Sequence, residues 1–337
     1  MRVLVTGGAG FIGSHYVRTM LAGGYPGFEH AEVTVLDKLS YAGNLASLAP
    51  VACHPALTFV RGDICDPDLV GEVVPGHDYV VNFAAESHVD RSIASGAAFV
   101  SANVCGVQTI AQACLDAGVR RLVHVSTDEV YGSIADGSAT EDMVLDPSSP
   151  YSATKAGGDL LALAYGKTHG LDVRITRACN TYGPYQYPEK VIPLFVTSLL
   201  DGQQVPLYGD GMNVRTWLHV DDHCRGIQLV LRDGEVGGIY HIAGDAELSN
   251  IELTRMILDR CGAGWSMVRR VTDRKAHDRR YSLDDSRLRA LGYAPSVSFG
   301  AGLTATVEWY RQNRDWWEPL KPGRPAPAAR PSLAGPG

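Results

Sequence analysis

Two residues of this 337-residue chain have the spacing of a proton-transfer pair. Tyr151 and Lys155 stand four positions apart in a stretch with helical periodicity, so both side chains share one face of the predicted helix. A tyrosine takes a proton from an alcohol only if its own pKa falls from about 10 towards neutrality, which a nearby ammonium favours. On its own, such a pair more often marks an ordinary helix surface. Two further motifs give it weight.

The second motif could supply acid and base chemistry. Asp128 and Glu129 follow the apolar run at residues 122–125, and open α/β sheets place their ligands at the carboxyl ends of parallel strands. Neighbouring side chains on a straight strand point to opposite faces, so both carboxylates reach one substrate only if the chain turns here; Tyr131-Gly132 favours such a turn. When an alcohol becomes a ketone, a base can remove the acidified hydrogen on the next carbon while an acid protonates a departing hydroxyl. A solvated acidic loop is the other interpretation.

A glycine-rich turn near the start of the chain predicts a redox cofactor. The spacing G-x-x-G-x-x-G, formed by Gly7, Gly10 and Gly13, follows the first apolar run and opens a helical pattern. Such glycines let the backbone approach a pyrophosphate at a helix N-terminus. Asp37 ends the second predicted strand, where a carboxylate can bind an adenosine ribose and repel a 2′-phosphate, which favours NAD over NADP; Lys38 beside it weakens that preference. Asp63 and Ile64, after the third strand, either border the adenine or only form a turn.

The composition is that of an ordinary soluble globular protein. The chain has 45% hydrophobic and 20% charged residues, and its formal net charge of -7 argues against nonspecific nucleic-acid binding. The N-terminus runs directly into a strand pattern without a leader, and no apolar stretch reaches membrane-spanning length, so we expect a cytoplasmic protein. Seven cysteines without a C-x-x-C pair indicate neither a disulfide framework nor a metal site.

Alternating strand and helix patterns predict the scaffold that positions these motifs. Strands are predicted at residues 2–5, 33–36, 57–60, 79–83, 122–125 and 173–176, and helices at residues 11–22, 99–117 and 151–168. Their order indicates an α/β fold with a Rossmann-type doubly wound parallel sheet over residues 1–180. Residues 181–320, broken by prolines and a Gly-Asp-Gly turn, predict a smaller C-terminal substrate-binding lobe, with segments near 217–243 returning to the first domain. The Pro-, Ala- and Gly-rich tail at 321–337 is predicted to be disordered.

Seven segments carry a resemblance to a known family. They are residues 83–92 (FAAESHVDRS), 127–132 (TDEVYG), 151–155 (YSATK), 180–186 (NTYGPYQ), 188–190 (PEK), 219–223 (HVDDH) and 273–278 (DRKAHD). With the glycine turn, these segments resemble the extended short-chain dehydrogenase/reductase superfamily and, within it, the dTDP-glucose 4,6-dehydratases, over residues 1–321. The resemblance implies an NAD-dependent lyase that acts on the nucleotide sugar dTDP-glucose in deoxysugar biosynthesis.

The same resemblance implies a redox-neutral cycle shared among five residues. Tyr151 takes the proton from the sugar 4-hydroxyl while Lys155 lowers its pKa, and Thr127 hydrogen-bonds the same oxygen. Glu129 then removes the C5 proton and Asp128 protonates the departing 6-hydroxyl, after which the hydride returns from the cofactor to C6. The product is a 4-keto-6-deoxy sugar, and NAD is regenerated.

Two sets of binding residues are also implied by the resemblance. Contacts with NAD are expected from Gly7, Gly10, Phe11, Ile12, Gly13, Asp37, Lys38, Leu39, Ser40, Asp63, Ile64, Phe83, Ala84, Ala85, Ser87, Tyr151 and Lys155. Contacts with the substrate are expected from Ser87, Thr127, Asn180, Lys190, Pro206, Tyr208, Arg215, Asn250, Arg274 and His277. The basic members of the second set would hold the diphosphate.

Three positions depart from the family pattern. They are Ala102 in place of a usual threonine, Thr181 in place of a usual asparagine and Thr216 in place of an acidic residue. Each change could remove a hydrogen bond to NAD or substrate. The family usually forms a homodimer through helices corresponding to residues 99–117 and 151–168, with Gly157-Gly158 allowing close approach. Packing inside one subunit explains the same apolar faces.

Three rival functions stay open at this point. A nucleotide-sugar 4-epimerase shares the tyrosine, the lysine and NAD but lacks the acid/base pair, so Asp128 and Glu129 argue against it. A 4,6-dehydratase for another nucleotide sugar such as UDP-glucose is harder to separate, because nucleobase choice depends on a few contacts in the second lobe. A catalytically silent NAD-binding module would not need to keep all four proton-transfer residues, and this chain keeps them.

Overall fold

Seven strands form the main sheet of this protein, and five more lie outside it. The computed structural model describes residues 1–273 and 277–321. Its strands are β1 (Arg2–Thr6), β2 (Glu32–Asp37), β3 (Leu57–Arg61), β4 (Tyr79–Asn82), β5 (Arg121–Thr127), β6 (Val173–Ala178), β7 (Asn180–Tyr182), β8 (Val205–Tyr208), β9 (Val214–His219), β10 (Ile239–Ile242), β11 (Ala246–Ser249) and β12 (Val268–Val271). The main sheet has the order β10-β6-β5-β4-β1-β2-β3, and every neighbouring pair in it is parallel. The predicted fold class is confirmed.

Helices cover both faces of the main sheet. They are α1 (Phe11–Leu21), α2 (Pro67–Val73), α3 (Val89–Ala94), α4 (Ala97–Val100), α5 (Gly106–Asp116), α6 (Pro150–His169), α7 (Val191–Leu200), α8 (Val220–Asp233), α9 (Asn250–Cys261), α10 (Ser286–Ala290), α11 (Phe299–Gln312) and α12 (Arg314–Trp317). Alternate residues of β1 serve the two faces: Val3 and Val5 pack with α1, whereas Leu4 packs with α2 and α5. The three central residues of the strand are therefore all apolar, as expected between two helical layers.

Helix α6, which carries the Tyr/Lys pair, has strong signals at both ends. Ser149 forms a capping box with Ser152, and Gly170 ends the helix in the left-handed conformation at φ 76°. The capping box sets where the helix begins, and Tyr151 and Lys155 both lie on the buried side of the helix. The predicted helix at residues 151–168 is confirmed.

The predicted helix at residues 99–117 contains one π-helical turn, Ser101–Cys105, between α4 and α5. In this turn the Asn103 side chain accepts a hydrogen bond from the Glu86 N–H at 2.9 Å. It donates to Glu86 O and to Thr154 Oγ1, both at 3.0 Å. Such turns are rare and often occur at functional sites. Here the turn ties the loop after β4 to helix α6.

One described helical run, Ala97–Asp116, is long and apolar enough to cross a membrane by length and composition alone. Half of its apolar window is buried inside the protein, where α5 packs against α6 and α2. That burial is typical of a core helix.

Two small sheets lie after residue 180. Strand β9 pairs with β7 and β11, and β8 pairs with β12 in parallel. Near residue 217, within the range where a return to the first domain is predicted, the chain still forms a small sheet, and Trp217 packs with Tyr182 and Phe299. The return comes later, where α8 packs on β5 and β6, and β10 pairs with β6. The domain boundary at 180 stays a prediction, and the tail from 322 to 337 lies outside the described residues.

Candidate active site

A cavity of about 330 Å³ opens at the carboxyl ends of the main-sheet strands. Of the residues predicted to bind NAD or to act in catalysis, its wall contains Gly7, Gly10, Phe11, Ile12, Gly13, Asp37, Lys38, Ser40, Asp63, Ile64, Phe83, Ala84, Ala85, Ser87, Thr127, Asp128, Glu129 and Tyr151. We call it the first cavity. It brings the glycine-rich turn and the acid/base pair to one space.

Close contacts require the glycines in the turn after β1. Gly7 has a φ of 68°, and a Cβ atom there would lie 2.6 Å from the backbone N of Ala84. A Cβ atom at Gly13 would lie 2.4 Å from Gly7 O. Side chains at these positions would push the loops apart, so glycine keeps the backbone at the start of α1 accessible to a phosphate group.

The end of β2 presents a carboxylate to the same cavity. The two oxygens of Asp37 accept backbone N–H hydrogen bonds at 3.0 and 2.8 Å. The neighbouring Lys38 ammonium lies 3.6 Å from Asp63 and 3.8 Å from Glu86. The carboxylates of Asp63 and Glu86 thus flank Lys38, the residue whose positive charge weakened the sequence-based preference for NAD over NADP. That makes Lys38 a poor partner for a 2′-phosphate.

Asp128 and Glu129 begin a 3₁₀ turn that follows β5 directly and ends at Tyr131. Thr127 caps the turn: its Oγ1 accepts from the Glu129 N–H and donates to Asp128 Oδ1, both at 3.2 Å. The turn needed for both carboxyl groups to reach one ligand is therefore present. Burial and the neighbouring Glu129 charge raise the pKa of Asp128 to about 8, and Arg215 opposes the shift. Burial and the Glu129 charge both favour the protonated form of Asp128.

Tyr151 and Lys155 are both buried, with exposed fractions of 8% and 3%. The Lys155 Nζ donates to Val125 O at 2.7 Å, and the Tyr151 ring meets that of Phe99 edge-on. Burial, reinforced by the Glu129 charge, raises the pKa of Tyr151, and burial lowers the pKa of Lys155 to about 8. Burial thus raises the pKa of Tyr151 in the protein alone, and the lowering expected from Lys155 stays a prediction. Desolvation by burial is the largest influence on the pKa of Tyr151 in the protein alone. Formation of a phenolate here therefore needs a further positive charge nearby.

A second cavity of about 200 Å³ adjoins the first, because Glu129, Asn180 and Lys190 line both. Of the predicted substrate-binding set, the first cavity holds Ser87 and Thr127, and the second holds Pro206, Tyr208, Arg215, Asn250 and His277. Arg274, predicted with them, lies outside the described residues. The predicted cofactor and substrate residues therefore occupy two connected spaces that meet at the acid/base turn.

Two cationic side chains line the second cavity. Lys190 Nζ donates to Ser87 O at 2.8 Å. Arg215, which is only 5% exposed, donates to Asp278 O at 2.9 Å, and its guanidinium lies 4.2 Å from the centre of the Tyr281 ring. Ammonium and guanidinium groups in such a recess suit the oxygens of a diphosphate.

Some predicted residues lie behind the cavity walls, and some wall residues were not predicted. Leu39 and Lys155 are the predicted site residues, among those that the structure describes, that line neither cavity. His223 lines the first cavity, Tyr281 the second and Glu189 both. Glu189 and His223 stand in the PEK and HVDDH segments, so the motifs contained a signal for both. Tyr281 follows the last motif and had none.

The three departures from the family pattern all lie at or beside the site. Ala102 lines the first cavity. Thr181 Oγ1 lies 2.8 Å from His223 Nδ1. Thr216 Oγ1 donates to Tyr281 O at 3.3 Å, so this hydroxyl holds the backbone of a wall residue.

The chain matches known proteins along nearly its whole length. The family model described as GDP-mannose 4,6 dehydratase matches residues 4–306. A dTDP-glucose 4,6-dehydratase from Streptomyces niveus is 61% identical over 322 residues, which are 95% of this chain and 96% of that protein. The chain belongs to the dTDP-glucose 4,6-dehydratase family.

Other members of the dTDP-glucose 4,6-dehydratase family agree in sequence and in structure. One from Streptomyces antibioticus is 57% identical over 338 residues and covers 100% of both chains. The crystal structure of the dTDP-glucose 4,6-dehydratase DesIV from Streptomyces venezuelae, which has NAD bound, superimposes with a TM-score of 0.94 at 64% identity, covering 95% of this chain and 100% of that chain. The resemblance that the motifs indicated is confirmed. Within the described residues, this member of the dehydratase family has no group of three His, Cys, Asp or Glu side chains placed to hold a metal ion.

Proposed function

We propose that this protein converts dTDP-glucose to dTDP-4-keto-6-deoxyglucose and water as an NAD-dependent hydro-lyase. One observation carries the proposal: the carboxyl groups of Asp128 and Glu129 and the phenol of Tyr151 line the same cavity as the glycine-rich turn. Oxidation of an alcohol needs only the tyrosine and a hydride acceptor. The two carboxyl groups serve an elimination that follows the oxidation.

The residues of the first cavity fit NAD. The turn from Gly7 to Gly13 offers open backbone to the pyrophosphate at the start of α1, and Asp37 offers a carboxylate to the adenosine ribose. When bound in its oxidised form, NAD supplies a reversible hydride acceptor and a positive charge. A positive charge near Tyr151 offsets the effect of burial on its pKa.

Three side chains carry the proton transfers in this proposal, and two others assist the first of them. Tyr151 takes the proton from the sugar 4-hydroxyl, and Thr127 hydrogen-bonds the same oxygen; the charge of Lys155 favours the phenolate. Glu129 removes the proton at C5, whose acidity the C4 ketone has raised. Asp128 donates its proton to the 6-hydroxyl, which leaves as water. The raised pKa of Asp128 suits this last step.

The second cavity is where we place the diphosphate and the nucleoside. Lys190, Arg215 and His277 line its wall and can meet phosphate oxygens, and Pro206, Tyr208 and Asn250 lie nearer the nucleoside. Asn180 and Ser87, at the junction and in the first cavity, face the hexose. The sugar would then lie across the acid/base turn.

The homodimer and the cytoplasmic location belong to the same proposal. Three neighbouring helices expose apolar side chains: Ile93 on α3 is 39% exposed, Val100 on α4 is 48% exposed and Leu160 on α6 is 58% exposed. Gly158 was expected to allow close approach of two subunits. It already packs within one chain, since a Cβ atom there would lie 2.4 Å from Asn103 O. The exposed apolar residues are therefore the better support for a helical interface.

Mass spectrometry of the purified protein incubated with dTDP-glucose in deuterated water, without added reductant, tests the reaction. Loss of water together with one non-exchangeable deuterium at C5 is the expected result. A 4-epimerase would return sugar of unchanged mass, and a silent module would return unchanged sugar while NAD still co-purifies. Parallel incubation with UDP-glucose decides between the two nucleotide sugars. No water loss from either sugar would contradict the proposal.

A further inference from the structure

A chain of buried polar side chains runs beneath the first cavity. Thr6 Oγ1 donates to Asn82 Oδ1 at 2.5 Å, and Asn82 Nδ2 lies 3.0 Å from His124 Nδ1. His124 Nε2 lies 3.5 Å from Asp159 Oδ1, and Arg177 Nε donates to Asp159 Oδ2 at 2.9 Å. None of the five is more than 2% exposed. Burial of the charged pair Asp159 and Arg177 costs desolvation free energy, a cost that apolar side chains at the same positions would not have.

The position of this chain connects it to the site. Its four strand residues, on β1, β4, β5 and β6, each directly precede a residue that lines the first cavity, namely Gly7, Phe83, Val125 and Ala178. The polar chain is therefore the layer immediately below the cavity floor. Each of its four strand residues is therefore joined to the cavity wall by one peptide bond.

Asp159 joins the two catalytic parts of the site. It lies on α6 one helical turn beyond Lys155, so the two side chains share a face of the helix. Its partner Arg177 donates through Nη1 to the Tyr131 hydroxyl at 2.5 Å. Tyr131 ends the 3₁₀ turn that begins with Asp128. The buried Asp159 carboxylate thus binds Arg177, which bridges to the acid/base turn, and it stands on the same face of α6 as Lys155, one helical turn away.

We propose that Asp159 is a positioning residue for this reaction, which holds Lys155 in its charged form and keeps the acid/base turn in register with helix α6 through Arg177 and Tyr131. The inference depends on the proposed function for its kinetic readout only. Burial lowers the pKa of Lys155 to about 8, and Asp159 is the charge that opposes this fall. Without that carboxylate, the lysine would lose its proton nearer to neutral pH and could no longer favour the phenolate.

The other groups around the lysine do not replace Asp159. Arg177 on β6 is a like charge, and His124 on β5 is neutral because burial lowers its pKa well below the usual value. From the turn after β5, Glu129 and Asp128 raise the pKa of Tyr151, and Asp159 itself raises it by a smaller amount, so Asp159 acts on both members of the Tyr/Lys pair. Asp159 is the opposite charge that acts on Lys155 from within the polar chain.

The substitution Asp159→Asn removes the charge and keeps the shape of the side chain. We expect the alkaline limb of the kcat profile, where activity falls as Lys155 loses its proton, to move down by about one pH unit. KM should change little, because Asp159 lines neither cavity. The matched control is Asp172→Asn, which removes the partner of the buried Arg174 at the opposite end of β6 and should leave the limb in place.

Asp159→Asn leaves Arg177 buried without its carboxylate and could fold poorly. The double variant Asp159→Asn, Arg177→Gln removes both charges and should show the same shift of the alkaline limb. The pKa of Lys155 can also be read without substrate, by NMR of protein with isotopically labelled lysine side chains, with Lys155→Met to assign the signal. It should fall in both Asp159 variants and stay unchanged in Asp172→Asn.

The outcomes separate this inference from the proposed function. An unchanged Lys155 pKa in the foldable Asp159 variant, or lower activity at every pH without movement of the limb, would show a merely structural role and overturn the inference. Failure of the wild-type protein to dehydrate dTDP-glucose would overturn the proposed function instead. The NMR titration would still decide for or against Asp159.

Discussion

Asp128 and Glu129 are neighbours in sequence but have different surroundings. Asp128 is 4% exposed and has a raised pKa, whereas Glu129 is only partly buried and borders both cavities. Pairs of carboxyl groups in unlike environments commonly divide the acid and base roles between them. At the scale of single residues, the difference in burial therefore supports the proposed role of Asp128 as the proton donor.

The tyrosine and the glutamate should fail at different steps. Tyr151→Phe removes the group that accepts the 4-hydroxyl proton, so it should slow the first oxidation by about 10²- to 10⁴-fold. Glu129→Gln should allow that oxidation and then stall with NADH accumulated. Single-turnover absorbance of NADH distinguishes the two. Tyr165→Phe, on the same helix with its hydroxyl bonded to Gln112, is the matched control; equal failure of both variants at one step would contradict the assigned roles.

Replacement of Asp128 should stabilise the fold at high pH. The pKa of Asp128 is about 8 in the folded protein and about 3.9 when unfolded. The folded state thus binds the extra proton between these values, so this contribution to stability is complete below the unfolded pKa and is lost as the pH rises through 8.

Asp128→Asn removes this pH-dependent loss of stability. Relative to the wild type, the melting temperature of the variant should therefore rise between pH 6 and pH 9, by about 2–4 °C for each kcal/mol of unfolding free energy. Calorimetry at the two pH values measures the gain. Asp116→Asn, an exposed aspartate on α5, should show none. An equal response of both variants would remove burial as the cause.

At the scale of elements, helix α6 depends on one of its two adjacent glycines. A Cβ atom at Gly158 would meet Asn103 O in the π turn at 2.4 Å, whereas at Gly157 the nearest atom is a Val104 methyl carbon at 3.4 Å. Gly158→Ala should therefore cost about 1–3 kcal/mol of unfolding free energy. Gly157→Ala should be neutral or stabilise by up to about 1 kcal/mol, because alanine favours the helix. Urea unfolding of the two variants decides it, and similar stabilities would refute the contact.

Sequence periodicity identified the elements that form the main sheet, and its limits follow from what periodicity measures. The six early strands appear within two residues of their predicted ends, because each contains a short apolar run, and all but the edge strand β3 are largely buried. Strands β8 and β12 were not predicted: they are four residues each and pair across more than fifty positions of chain, which local patterns do not record.

The candidate site was likewise predictable only where its residues have a local sequence signature. Motifs indicated most wall residues, since glycines and acidic pairs have local signatures. The raised pKa of Tyr151 and the role of Asp159 and Arg177 depend on burial and on partners far apart in sequence. No local pattern around those residues could express them.

At the scale of the whole molecule, the proposed dimer predicts a sensitive surface. Leu160→Glu would place a charge among the exposed apolar side chains of α3, α4 and α6, and should weaken dimerisation by about 30-fold or more. Val236→Glu changes an equally apolar residue, 69% exposed in the turn before β10, and should have no effect. Light scattering during size-exclusion chromatography gives the mass of each. A monomeric wild type would refute the interface.

The late return of β10 has a consequence for synthesis on the ribosome. Strand β6 ends at Ala178, but its outer neighbour β10 does not begin until Ile239, and α8, which covers β5 and β6, immediately precedes it. A nascent chain therefore holds an open strand edge and an uncovered apolar face while the first part of the second lobe is translated. We expect stalled chains that end before α8 to be cleaved readily by protease, and chains stalled after β10 has emerged to resist it. The main sheet is completed only by residues that the ribosome delivers after the first part of the second lobe.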